Sequence, residues 1–391
     1  MNLKFTRRDL LKTLGIGIAG GVTAGRLFAG MRLPASSGSA RLFVGTYTNG
    51  KSEGIYRCVF DGRSGELIVQ SLTKGVTNPS FLAVDTDRSR LLCVNETAEF
   101  EGKPGGSVSA FALNAETGDL RLLNSCSTHG ADPCYLTIDS AGRFVLVANY
   151  TGGSLAVLPV HNDGSLGEAT DVVQHKGSSI KPRQEGPHAH SVVFDPSGRY
   201  AYAADLGLDR VMIYRFDDKQ GKLIPAAPDW APLKPGAGPR HLAFSPDGSG
   251  VYVVNELDST LTAFSVDRST GGLEHRQTLS TLPPAFAGEN FPADIHIARS
   301  GRFVYASNRG HDSIAVFAVD AKKGEISLVQ HEPTGGKWPR NFTIDPSGEY
   351  LLVANQRSDR ITVFDINPES GTLAPNGHMA EVPSPVCLKF L

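Results

Sequence analysis

Arginine, histidine and acidic residues recur at two kinds of position in this chain, each tied to an apolar stretch. At the openings of such stretches stand His188 and His190, Arg240 and His241, Asp294 and His296, and Arg340 and Asn341. At the ends of the stretches that follow stand Glu96, Asn149, Asp205, Glu256, Asn308 with Arg309, and Asn355 with Gln356. Histidine and glutamate can pass protons, and guanidinium forks suit oxyanions, carboxylates and phosphates. The asparagines are expected to bond loop backbones, as asparagine does at turns, and Asp205 either caps its loop or meets the Asp209-Arg210 segment. Arg240, Glu256, Arg309, His190 and His296 resist so plain a reading. Burying both signs of charge costs free energy unless the groups pair or bind something, so the choice is a binding site or a structural ion-pair network. His241 is either part of the same site or packing beneath it. His129, His161, His175, His275, His311, His331 and His378 are expected in loops or outer turns, facing solvent.

Whether those residues converge depends on the elements that carry them. One segment type recurs: a proline, two variable residues, an apolar alternation, a tight turn, then further apolar runs. PSFLAVDTDRSRLLCVNE from Pro79, PCYLTIDSAGRFVLVANY from Pro133, PRHLAFSPDGSGVYVVNE from Pro239, PADIHIARSGRFVYASNR from Pro292 and PRNFTIDPSGEYLLVANQ from Pro339 are copies. The copy at Pro187, PHAHSVVFDPSGRYAYAADL, carries two extra residues, and successive starts lie 46 to 54 residues apart. The period of two and the Val, Ile, Leu, Phe and Tyr enrichment predict strands. Asp-Pro-Ser-Gly, Ser-Pro-Asp-Gly and Ser-Ala-Gly supply tight turns, and Glu-Thr-Gly or Ser-Thr-Gly separate a third run from a fourth. Each copy is thus a four-stranded antiparallel meander, at the scale of a propeller blade.

Six copies are complete, while RLFVGTYTNG onward lacks a first strand and the stub PVCLKFL from Pro385 lacks everything after one. Joined, the two make a seventh blade. The predicted fold is an all-β seven-bladed propeller over residues 41–391, closed by both ends of the chain; an open β-solenoid would leave the stub unused. First strands line the channel, so their starts and the ends of second strands share one face, and the two polar sets meet at one mouth.

The bulk composition narrows the partners. Net charge is −2, which recommends neither nucleic acid nor an anionic membrane surface, and leaves a small molecule or a protein. The five cysteines show no metal spacing, so no zinc is implied; only Cys126 and Cys134 are close enough in sequence for a local disulfide. Arg7-Arg8 before an apolar, glycine-rich run reads as a twin-arginine export signal occupying residues 1–40, too short to be a stable membrane span. That expectation brings in the export machinery and a periplasmic or extracellular location. An ordinary tail, and a cytoplasmic protein, is the alternative.

Gly-Ala-Gly-Pro-Arg240-His241, Asn255-Glu256-Leu257, Ala293-Asp294-Ile295-His296-Ile297, Ser307-Asn308-Arg309, Pro339-Arg340 and Asn355-Gln356, in this order, resemble the seven-bladed propeller lactonase family. That family includes bacterial 6-phosphogluconolactonases and fungal carboxymuconate cyclases, and the resemblance spans nearly all the chain after Ala40. It implies a site of His190, Arg240, Glu256 and Arg309, with His188, His296, Arg340 and Gln356 as substrate-binding neighbours; no cofactor is expected, and no metal, because cations outnumber acidic residues around the mouth. Lactone opening needs a base for water, charge stabilisation of a tetrahedral oxyanion and an acid for the leaving alkoxide. His190 or Glu256 would handle the proton, and Arg240 and Arg309 the anion. Export would separate the protein from cytosolic sugar phosphates, which favours a non-phosphorylated sugar lactone over 6-phosphogluconolactone. A lactonising cycloisomerase and a non-catalytic binding propeller are the other readings.

Overall fold

A computed structural model describes residues 38–85, 87 and 89–391, so the expected export segment lies outside the described residues except at its end. The first strand begins at Ser39, pairing with Asp61, so the propeller starts two residues ahead of the expected boundary. The chain forms seven four-stranded antiparallel sheets.

Blade 1 is the closing blade. Its innermost strand is the C-terminal Pro385–Phe390, followed outward by Ser39–Thr46, Gly54–Asp61 and Leu67–Lys74. Leu42 pairs with Phe390 and Gly45 with Cys387, so the ring has no open inner edge. The innermost strands of blades 2 to 7 are Leu82–Asp85, Pro133–Ile138, Ala189–Phe194, Pro239–Phe244, Phe291–Ile297 and Pro339–Ile344. Each is followed by its antiparallel neighbour, so blade order is chain order.

Second strands such as Phe144–Asn149, Gly250–Asn255 and Tyr350–Asn355 are buried at every position, which explains their continuous apolar runs. Outermost strands such as Leu273–Ser280 alternate toward solvent. Apolar faces of neighbouring blades pack on one another: Tyr202, Val211 and Ile213 of blade 4 meet Leu242, Val251 and Val253 of blade 5. Burial of each such side chain is worth about 1.5–3 kcal/mol.

The inner turns close on the face away from the mouth. At Asp345 the carboxylate accepts the amides of Ser347, Glu349 and Tyr350, and Gly348 takes φ 80°. Those turns hold the second strand in register, and the charged side chains collect at the other end.

Candidate active site

In five blades the start of the innermost strand faces the end of the second: Pro133 opposite Asn149, Ala189 opposite Asp205, Pro239 opposite Asn255, Pro292 opposite Asn308 and Pro339 opposite Asn355. Immediately after each of these pairs the register slips by one residue. The extra residue is Cys134, His190, Arg240 and Arg340 in blades 3, 4, 5 and 7, and the Ala293-Asp294 pair faces Ser307 in blade 6. Blade 1 repeats the slip at Val386. A bulge re-aims a side chain that regular pleating would send to a fixed face. Here it re-aims one residue in each of blades 1 and 3 to 7. Gly238 prepares the bulge in blade 5: its φ is +65°, and a Cβ there would lie 2.5 Å from Leu257.

Glu256, directly after the blade 5 second strand, is the hub of the mouth. Its Oε2 lies 2.7 Å from Arg309 Nη2 and 3.0 Å from Arg240 Nε, and its Oε1 lies 2.8 Å from Arg183 Nη1. The Arg240 contact is charge pairing without hydrogen-bond alignment, since Nε has no hydrogen-bond partner. Burial alone would raise the Glu256 carboxyl, but Arg309, Arg240 and Arg183 together hold it down at about 2. Glu256 is ionised and its lone pairs are committed. Burial and the neighbouring arginines push the Arg309 guanidinium down, against Glu256. Arg309 is further fixed by its Nε donating to Phe291 O at 2.9 Å and by the face of Trp338, 5.5 Å away.

His190 sits beside this cluster in a different state. Burial first, then Arg240, His241 and Arg340, hold its imidazole well below the usual 6.5, so it is neutral. Its Nδ1 lies 3.6 Å from Cys134 Sγ, while Nε2 makes no hydrogen bond among the described residues. Tyr150 meets its ring edge-on at 5.3 Å and stacks on His188 at 4.6 Å. His188 is anchored at both ends: its amide donates to Asp205 Oδ1 at 2.8 Å and its Nδ1 meets Tyr150 O at 3.0 Å. Asp205 also accepts the amides of Gly207 and Leu208, so it caps its loop.

Across the mouth, Arg340 donates to Tyr47 Oη at 2.7 Å, and Tyr47 donates to the Glu96 carboxylate at 2.8 Å. A small cavity between Ser80, Glu96, Cys134, Arg240, Arg340 and Val386 joins the two sides. The Gln356 amide donates to Trp338 O at 3.1 Å, and its Oε1 is buried without a hydrogen-bond partner.

Thus His190, Arg240, Glu256 and Arg309 come together, with His188, Arg340 and Gln356 at the same end of the ring. His296 does not join them. It pairs with Tyr305, further along the strand toward the opposite turn, and reaches Asp294 Oδ2 at 3.2 Å. His175, expected in solvent, is buried instead, with Nδ1 2.6 Å from Asp205 Oδ2 and Nε2 3.0 Å from Tyr214 Oη. Cys126 and Cys134 form no disulfide; both are free, Cys126 Sγ facing Leu166 O and Cys134 facing His190. Asn149 and Asn308 bond loop carbonyls at Thr128 and Thr281, as expected. Arg183, Tyr150 and Tyr47 went unread. Tyr47 and Tyr150 directly follow second strands and so obey the placement rule, whereas Arg183 lies on a short 3-10 turn, Pro182–Gln184, in the connection between blades.

Gly50-Lys51-Ser52-Glu53-Gly54 matches the spacing of a nucleophile elbow. It joins two strands rather than a strand to a helix, and Ser52 Oγ is buried against Thr46 Oγ1 at 2.7 Å. Among the described residues no group of three His, Cys, Asp or Glu side chains is placed to hold a metal ion.

Ring and mouth define a closed propeller whose charged side chains gather at one end of its channel. A family model described as lactonase, 7-bladed beta-propeller, matches residues 41–390, and the chain belongs to that family. The 6-phosphogluconolactonase of Bacillus subtilis is 36% identical over 349 residues, which is 89% of this chain and 97% of that one. A Formosa agariphila protein of the same name is 35% identical over 303 residues, 76% of this chain and 84% of that one. The solved structure of the periplasmic gluconolactonase of Pseudomonas aeruginosa superposes with a TM-score of 0.85 at 37% identity, covering 90% of this chain and 99% of that one.

Proposed function

We propose that this protein hydrolyses a sugar lactone to the open-chain acid at the mouth built by His190, Arg240, Glu256 and Arg309. The observation that carries the reading is a buried imidazole in the field of Arg240, one of three arginines that hold a buried carboxylate. The two groups divide the work that residue types alone left undivided. Glu256, ionised and bonded on both oxygens, is a poor proton acceptor and a good anchor for guanidinium groups. His190 keeps an open lone pair on Nε2 when its Nδ1–H faces the Cys134 sulfur.

His190 Nε2 takes a proton from water, and the hydroxide attacks the lactone carbonyl carbon. The oxyanion that forms is met by N–H groups of Arg240 and Arg309, already oriented by Glu256 before the substrate arrives. When the ring C–O bond breaks, the departing alkoxide takes the proton back from the imidazolium. His188, Arg340 and Gln356 border the space left for the sugar.

A non-phosphorylated sugar lactone outside the cytoplasm is the favoured substrate, supported by the twin-arginine-type segment at Arg7-Arg8 and by the periplasmic gluconolactonase among the similar structures. A panel of gluconolactone and its 6-phosphate tests substrate and compartment together. Hydrolysis by the wild-type chain, lost in Arg240→Ala and Glu256→Ala with the near-ultraviolet circular dichroism retained, is the expected result. Unchanged rates in those variants would sink the site, and ring formation from a muconate without hydrolysis would replace the reaction.

A further inference from the structure

The channel beneath the mouth holds a group that the hydrolysis above does not use. His241 follows Arg240 in the chain and is buried in the channel. Its Nδ1 lies 2.8 Å from Asp294 Oδ1 and its Nε2 lies 3.1 Å from Arg240 Nη1. A guanidinium has only donors to offer. Nε2 is therefore the acceptor, the ring proton sits on Nδ1, and Asp294 receives it. One neutral tautomer satisfies both contacts; an imidazolium would turn a donor toward a donor.

Asp294 is itself held from two blades. Its Oδ2 accepts from Asn341 Nδ2, from the Phe342 amide at 3.2 Å and from His296 Nε2 at 3.2 Å, while its own amide donates to Ser307 Oγ at 3.1 Å. Arg240 Nη1 donates to Ala293 O as well as to His241, and Nη2 makes no hydrogen bond among the described residues. Nη1 is thus tied down and Nε faces Glu256 at 3.0 Å, which leaves Nη2 for a ligand.

We propose that His241, oriented by Asp294, is a positioning residue for Arg240: the Asp294–His241–Arg240 chain sets the angle at which the guanidinium meets the oxyanion. The proposal rests on the lactonase reading, because it requires Arg240 to act at the reacting carbonyl. The surroundings hold His241 in the tautomer the chain needs. Facing its ring are Arg240 on its own strand, Asp294 from blade 6, Arg340 from blade 7, His190 at 5.3 Å from blade 4, Tyr135 at 5.1 Å from blade 3 and Phe81 at 6.0 Å from blade 2. Burial first and the two arginines next bring its imidazole down to about 4, against the pull of Asp294. His296, idle at the mouth, gains a place here as the second histidine on the carboxylate.

The test is steady-state hydrolysis of gluconolactone by the full chain and its variants. His241→Phe keeps an aromatic ring against Phe81 and Tyr135 but offers no acceptor. A misaimed catalytic group costs up to about 100-fold, so kcat is expected to fall about 10–100-fold with KM changed less than about 3-fold. His241→Gln, whose side-chain oxygen can accept from Arg240, is expected to recover most of that loss. In an Arg240→Ala background, His241→Phe is expected to add less than about 2-fold, since residues acting as one unit are not additive. Wild-type kcat in His241→Phe, a loss confined to KM, or losses that multiply in the double variant would each overturn the relay. If thermal unfolding shows that His241→Phe does not fold, His241→Gln and Asp294→Asn decide: the first must keep kcat within about 3-fold and the second must lose it about 10-fold or more. A wild-type chain that opens no lactone overturns the function itself, and that outcome is read before any variant.

Discussion

Around the mouth, blades 4 to 7 and blades 1 and 3 use the same backbone bulge and present different side chains with it. Every bulged position from blade 4 onward brings charge or a titratable ring: His190, Arg240, Asp294 beside Ala293, and Arg340. The corresponding positions of blades 1 and 3 are Val386 and Cys134, and Ser80 stands at the matching place after the blade 2 proline. Both arcs line the one cavity. A repeated fold offers the same strand-start position in each blade, so charge can be gathered at those positions in one arc while in the other they stay small and uncharged, leaving Glu96 and Tyr47 at the strand ends to carry that side's polar groups.

The contrast can be broken most sharply in the charged arc. His190→Ala is expected to lower kcat/KM for gluconolactone by about 10²–10⁴-fold, the usual worth of a positioned proton carrier. Arg240→Ala is expected to cost about 10²–10³-fold, as loss of an oxyanion donor does. For Glu256→Gln the effect also reaches stability. Removing the one carboxylate among three arginines leaves buried positive charge unpaired, at about 3–5 kcal/mol, readable as a lower denaturant midpoint. Because the folded carboxyl is depressed to about 2 from 4.5, its contribution is present above pH 4.5 and is lost as pH falls toward 2. Glu256→Gln should therefore flatten the acid limb of the stability curve over that window.

A subtler check is the pH profile of kcat/KM. The active form of His190 is neutral and its folded value lies well below 6.5, so the rate should hold level from pH 8 to 6.5 and fall only in more acid solution. A limb centred at or above 6.5 would show that His190 is not the proton carrier. The smallest effect belongs to the other arc. Ser80→Ala removes a buried hydroxyl with no hydrogen-bond partner and is expected to be neutral or to stabilise by up to about 1 kcal/mol, with activity near wild type. A large loss of activity in Ser80→Ala would erase the distinction between the arcs.

The fold was legible because propeller blades repeat their prolines and turns, and because Pro385 opens a strand that only the N-terminal segment can complete. The meeting of Arg240 with Glu256 was legible for the same reason: register puts strand starts beside strand ends. The bulges were not. Pro-Arg-His-Leu-Ala-Phe alternates well enough to pass for a regular strand, and the extra residue emerges only when both strands are laid side by side. That slip is what separates Arg240, turned to the arginine cluster, from His241, turned to Asp294. His296 stands apart from the arginine cluster because it lies past the bulge, where the strand has already moved toward the far turn. Arg183 sits in an inter-blade connection that no repeat position marks. His175 looked like a loop histidine because nothing local announces Asp205 and Tyr214 as its partners.

The closing strand has a consequence in time. Pro385–Phe390 is made after every other blade strand, yet Val386 lines the central cavity and Leu388 donates its amide to Asn341, which in turn holds Asp294. A chain that has produced Arg240, Glu256, Asp294, Arg309 and Arg340 therefore still lacks the strand that braces them. The pairing of Pro385–Phe390 with Ser39–Thr46 therefore does two things at once: it shuts the ring and sets the last prop under Asp294.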